Sequence, residues 1–192
     1  MKNDQLALPK DSHTKFEQVK FDNIIVWRHA EAEQADFELG EKDDARQLTP
    51  KGQSQAKRMA RWLKQHLPDE TQLICSPAVR ALQTAKALND KIQLQEALKP
   101  GASLADVLIV LTQIQQQKNP PKNVLIVGHQ PWIGQLVAYL FEQSETSADQ
   151  IRENNTSMKK GAVWWLRLDS NDNYLTTQRR YKLFTLQTPS LL

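Results

Sequence analysis

Two stretches of this chain share a design that few folds can use. Ile24-Ile25-Val26 and Val124-Leu125-Ile126-Val127 are short apolar runs rich in β-branched residues, and each ends abruptly in polar chemistry. The first runs into Trp27-Arg28-His29, the second into Gly128-His129-Gln130-Pro131. Apolar runs of this length suit strands buried on both faces, the usual condition in a parallel sheet. In open α/β sheets ligands bind at the carboxyl ends of the strands, so Arg28, His29 and His129 are expected where chemistry is done. Taken alone, the first peptide also reads as the solvated end of a strand. The recurrence of the pattern is what favours a site.

The segments between them alternate in type. Thr49-Pro50 reads as an N-cap and first helical residue, and Ala56, Met59, Ala60, Leu63 and Leu67 recur at helical spacing, predicting a helix over 50–66 that closes before Pro68. His66, near its end, reads as a surface residue. A strand is expected at 71–75, followed by a helix with Ser76 as its cap, Pro77 at its first position and Arg80 in its first turn. A cation there opposes the helix dipole, and an anion seated between Arg80 and the exposed amides would remove the conflict. Further elements are expected at 92–94 (strand), 104–118 (helix), 123–128 (strand) and 133–141 (helix), then a polar loop over 143–155 and a hairpin of 161–168 with 174–182. Glu31, Glu33, Asp36, Glu38, Glu41, Asp43 and Asp44 form an acidic stretch that follows no metal-ligand spacing and reads as a solvated loop. Together these predict an α/β fold: a three-layer α/β/α sandwich whose mostly parallel sheet ends in an antiparallel C-terminal edge hairpin. We divide the chain into an arm (1–22) docked through Phe16, Val19 and Phe21, one domain (23–182) and a C-terminal tail (183–192).

Composition narrows the function. The 192 residues suffice for one ordinary domain with its own core. A formal net charge of +3 fits an anionic ligand and falls short of a nucleic-acid footprint. Cys75 is the only cysteine, so no internal disulfide or Cys-rich metal cluster can be drawn. No signal-peptide core or membrane-spanning run is present, and a cytoplasmic monomer without metal or cofactor is the expectation.

If the strands before His29, Ser76 and His129 are parallel neighbours, two cations (Arg28, Arg80) and two imidazoles (His29, His129) converge on one rim. Such a pocket suits a tetrahedral dianion, because arginine forks hold phosphoryl oxygens through directed, charge-assisted bonds. Arg28-His29, Leu48-Thr49-x-x-Gly52, Ser76-Pro77-x-x-Arg80-Ala81-x-x-Thr84 and Gly128-His129-x-Pro131 occur in this order. In them the chain resembles the histidine phosphatase superfamily, of phosphoglycerate mutase-like fold, and within it the short phosphohistidine phosphatases of SixA type. Ala30 stands where the superfamily usually has Gly. The resemblance implies that His29 is the phosphorylated nucleophile, with Arg28, Arg80 and His129 binding the phosphoryl group. Physically, His29 must then be unprotonated at its attacking nitrogen and donate from the other to an acceptor such as a carbonyl, while nearby phosphoryl charge favours a cationic His129.

The leaving group separates substrates. An alkoxide needs a general acid, for which Glu96 is the sequence candidate and also reads as a surface residue, whereas an imidazole with a pKa near ~6.5 leaves readily. This points to a phosphohistidine on a signalling or phosphocarrier protein as the substrate. Alternatives are a small-molecule phosphomonoesterase or mutase of the same fold, with Glu96 or an acid from the loop after His29 donating the proton, and a noncatalytic anion-binding domain.

Overall fold

β1 (Asn23–Arg28) is an interior strand because both of its faces are apolar: Ile24 and Val26 turn to one side, Ile25 and Trp27 to the other, all fully buried. The computed structural model describes residues 19–35, 42–142, 156–169 and 181–192. Within them β1 belongs to a six-stranded sheet with β2 (Thr71–Cys75), β3 (Gln93–Leu94), β4 (Asn123–Gly128), β5 (Val163–Leu168) and β6 (Tyr181–Gln187), in the order β3-β2-β4-β1-β5-β6. β1, β2, β3 and β4 run parallel, and β5 and β6 complete the sheet antiparallel.

The alternation along each strand makes two cores. Ile25, Trp27, Leu73, Leu125 and Val127 pack with Met59, Ala60 and Leu63 of α1 (Pro50–His66) and with Ala81 and Ala85 of α2 (Val79–Lys86). Ile24, Val26, Ile74, Val124 and Ile126 pack on the other side with Val107, Leu108 and Leu111 of α3 (Leu104–Gln115) and Ile133 and Leu136 of α4 (Trp132–Glu142). Each fully buried aliphatic side chain contributes roughly 1.5–3 kcal/mol, which outweighs the modest helix propensity of these short segments. The result is the three-layer α/β/α arrangement that the alternating pattern predicts.

Local signals hold where they are chemical. Thr49 Oγ1 accepts a hydrogen bond from Gly52 N at 2.9 Å, capping α1 as expected, and Ser103 with Asp106 forms a reciprocal capping box for α3. Val19 and Phe21 are buried, while Phe16 lies outside the described residues. Phe21 N donates to the Tyr181 hydroxyl at 2.9 Å, joining the chain before β1 to the start of β6. The expected loop over 143–155 and residues 174–180 of the expected return strand lie outside the described residues.

The C-terminal boundary differs from the expected one. β6 continues to Gln187, so residues 183–187 pair with β5 rather than trailing as a tail, and Pro189 packs over Gly161. β6 is an edge strand with Leu183, Phe184 and Leu186 half exposed, and its sequence lacks the alternation that marks a strand with one buried face. Phe184 instead lies under the Arg167 guanidinium, 3.3 Å from its ring centroid. Among the described residues, no helix is long and apolar enough to cross a membrane.

Candidate active site

β4 lies between β1 and β2, so three parallel strands end side by side. Arg28 is in register with Gly128 and Cys75 with Val127, and the residues that follow keep the ladder: His29 N donates to Gly128 O and Ser76 N to Val127 O, both at 3.0 Å. Backbone pairing therefore delivers His29, His129 and Ser76 to one edge. The two imidazole rings lie 5.0 Å apart between centroids, and both are buried.

Each ring is oriented by a specific partner. His29 Nδ1 lies 2.7 Å from Ala30 O; a carbonyl only accepts, so Nδ1 carries the proton and Nε2 keeps its lone pair. Burial holds the His29 pKa down to about 4; the Ala30 hydrogen bond works against this, and Arg80, Arg28 and Arg46 add to it. Ala30 N in turn donates to Thr84 Oγ1, and Thr84 donates to Arg80 O at 2.7 Å, tying the turn after His29 to the helix that carries Arg80.

His129 Nε2 lies 2.8 Å from Ser76 Oγ. Sequence pattern alone reads Ser76 as a helix cap, but the cap position belongs to Ala78 and α2 begins at Val79. The serine hydroxyl accepts from Ala78 N at 3.3 Å and also meets the imidazole. Burial, then His29 and Arg80, lower the His129 pKa to about 2, with Asp43 opposing, so the ring is neutral here. The cationic form expected from the sequence presupposes a bound anion; without one, burial dominates, and His29 and Arg80 add to it.

The arginines are held by acceptors that the sequence pattern did not identify. Arg28 Nη1 donates to Met158 O. Arg80, 3% exposed, stands in the first turn of α2 as the sequence predicts, and Asp43 holds it there: Nη1 donates to Asp43 O at 2.6 Å and Nη2 to Asp43 Oδ2 at 2.8 Å. Asp43 Oδ1 also accepts from Arg46 Nε at 2.9 Å. The acidic stretch read as a solvated loop thus returns one carboxylate to the site. It does so because residues 31–33 and 47–49 pair antiparallel, with a bridge between Ala32 and Leu48 and with Glu33 N donating to Gln47 O. The Asp43-x-x-Arg46 spacing was the available signal, since residues three apart face one another in a helical turn. Glu96 is 75% exposed and paired with Lys99, so it contributes nothing to this cluster.

Among the described residues, three N–H groups of this cluster are buried without a partner, Arg28 Nε, Arg80 Nε and His129 Nδ1; a fourth, Trp132 Nε1, belongs to the indole at the start of α4. An unpaired buried donor costs about 1–3 kcal/mol, and three on residues that share one rim define a site for an acceptor. With a free imidazole lone pair beside them, the arrangement can bind an oxyanion and attack its central atom.

Known proteins resemble this chain in sequence and in fold. Residues 24–103 match the family model of the histidine phosphatase superfamily, branch 1. A phosphohistidine phosphatase SixA homolog of Haemophilus influenzae is 33% identical over 132 residues, covering 62% of this chain and 77% of the relative. Phosphohistidine phosphatase SixA of Escherichia coli is 31% identical over 121 residues, covering 61% and 73%. The fold matches that of the histidine phosphatase SixA complexed with tungstate, with a TM-score of 0.65 at 21% identity over 88% of this chain and 98% of that one. A phosphoserine phosphatase mutant from Entamoeba histolytica, bound to phosphoserine, shares the fold at a TM-score of 0.58 and 16% identity, covering 88% and 98%.

Proposed function

The chain belongs to the histidine phosphatase superfamily, and from that premise we propose that it removes phosphate from a phosphohistidine borne on a signalling or phosphocarrier protein, through a phospho-His29 intermediate. The observation that carries this reading is the His29 ring: its Nδ1 is committed to Ala30 O, and its Nε2 lone pair lies beside a rim of unpaired donors. Nε2 bonds to phosphorus as the bond from phosphorus to the substrate imidazole breaks, and the departing ring, protonated on its other nitrogen, keeps that electron pair and leaves as neutral imidazole. Water then attacks phosphorus, the Nε2–P bond breaks, and inorganic phosphate and a proton leave. Arg28, Arg80 and His129 hold the phosphoryl oxygens throughout.

The state of the carboxylates favours a phosphoramidate over an ester. Partial burial pushes the Asp43 pKa up, but the hydrogen bonds and charges of Arg80 and Arg46 outweigh this, so it lies below the usual carboxylate range. An ionised carboxylate cannot give a proton to an alkoxide, whereas a phosphoimidazole protonated on its other ring nitrogen leaves as neutral imidazole without one. The test compares turnover of a phosphohistidine protein with that of small phosphate esters. The phosphohistidine protein should be preferred, and His29→Ala should lose at least ~10³-fold in rate. Acid-labile, alkali-stable phosphate should be trapped on His29 of the native protein. Preference for the esters would replace this reading with a small-molecule phosphomonoesterase, and binding that survives His29→Ala without any phosphoryl transfer in the native protein would indicate an anion-binding domain.

A further inference from the structure

We propose that Asp43 is a positioning residue that pins Arg80 for phosphoryl binding and recruits Arg46 as a further cation of the site. The inference rests on the phosphoryl-binding role given to Arg80 above. Asp43 takes the Nη groups of Arg80 with two different atoms, its main-chain carbonyl and Oδ2, and leaves the Nε edge buried and unpaired. A two-point grip of this kind fixes the plane of a guanidinium that would otherwise sample many rotamers. The second carboxylate oxygen binds Arg46, whose Nη1 is also fixed to Glu33 O at 2.9 Å, so one carboxylate couples two arginines.

Charge balance argues for the same role. Arg28, Arg80 and Arg46 with ionised Asp43 leave two net positive charges beside two neutral imidazoles, which matches a phosphoryl dianion. Asp43 is 39% exposed and Arg80 only 3%, so the carboxylate approaches from the rim while the guanidinium stays inside. A carboxylate competing for the phosphoryl position would pair with the free donors instead, and Arg80 Nε, Arg28 Nε and His129 Nδ1 are all without a partner.

The test measures tungstate binding by calorimetry to the full chain and to Asp43→Ala, Asp43→Asn, Arg46→Ala and the Asp43→Ala/Arg46→Ala pair, with thermal midpoints recorded alongside. Asp43→Ala should weaken tungstate about tenfold, the scale of one charge-assisted hydrogen bond, and the isosteric Asp43→Asn should weaken it in the same direction with its midpoint retained. The double variant should bind no more weakly than Asp43→Ala alone, because Arg46 acts through the carboxylate. Tighter or unchanged binding in both Asp43 variants overturns the proposal and makes the carboxylate a competitor or a bystander. Additive losses in the double variant overturn the coupling to Arg46. If the native protein binds no tungstate and His29 is never labelled, the reading of the whole site fails; if both succeed and only the Asp43 variants disagree, this inference alone falls.

Discussion

The hydroxyl of Ser76 decides which nitrogen of His129 carries a proton. Ser76 Oγ accepts from Ala78 N at 3.3 Å, and His129 Nε2 is the acceptor 2.8 Å away for its own hydrogen; donating there leaves one buried group unpaired rather than two and places the imidazole proton on Nδ1. A neutral His129 can therefore donate to a phosphoryl oxygen without first being charged. Ser76→Ala frees both tautomers and leaves a buried nitrogen unpaired, so turnover of a phosphohistidine protein should fall about tenfold, equivalent to ~1.4 kcal/mol. Single-turnover rates would show the loss, and an unchanged rate would deny the serine this part. Ser76 also marks a limit of reading residues locally. Ser-Pro before a helix satisfies every rule for a cap, and only the parallel pairing of β2 with β4 gives the hydroxyl another partner.

At the level of elements, two glycines are fixed by space. A Cβ on Gly128 would lie 1.9 Å from the Trp132 ring, which is fully buried at the start of α4, so the glycine that reads as a turn residue in sequence serves to seat an indole. Gly128→Ala should destabilise the fold by ~1–3 kcal/mol through overpacking, seen as a lower denaturation midpoint. On Gly52 the same atom would fall 1.9 Å from Glu31 O, so Gly52→Ala must displace either α1 or the turn after His29. We expect a larger relative loss of activity there than in Gly128→Ala, measured at matched folded fractions. The strands, α1 and the arrival of Arg28, His29, Arg80 and His129 at one edge were legible, because apolar runs, caps and their abrupt polar ends are local signals. The return of Asp43 was not: an irregular hairpin between residues 31–33 and 47–49 has no periodicity, and its closure depends on contacts from other elements. The extension of β6 beyond Lys182 escaped for the related reason that an edge strand buries too little to impose a pattern.

For the molecule as a whole, the neutral imidazoles set a pH dependence of stability. Folded-state values near 4 for His29 and 2 for His129 lie below the 6.5 of an unperturbed histidine, so below pH 6.5 the unfolded chain binds protons that the folded chain refuses. This part of the stability is intact above about pH 6.5 and is lost as pH falls, through about 4 for His29 and on toward 2 for His129. Thermal midpoints measured from pH 7 to 4 should decline, and His29→Asn and His129→Asn should each flatten the decline; equal slopes in all three proteins would refute the assignment. The sheet order has a consequence for synthesis. β1 pairs with β4, whose residues follow by one hundred positions, and with β5 further on, and the backbone of Phe21 waits for Tyr181. During translation the central strand therefore emerges early and unmatched, and most of the polypeptide must leave the ribosome before its nearest neighbours exist. Shielding of that apolar segment in the nascent chain becomes part of what this topology demands of the cell.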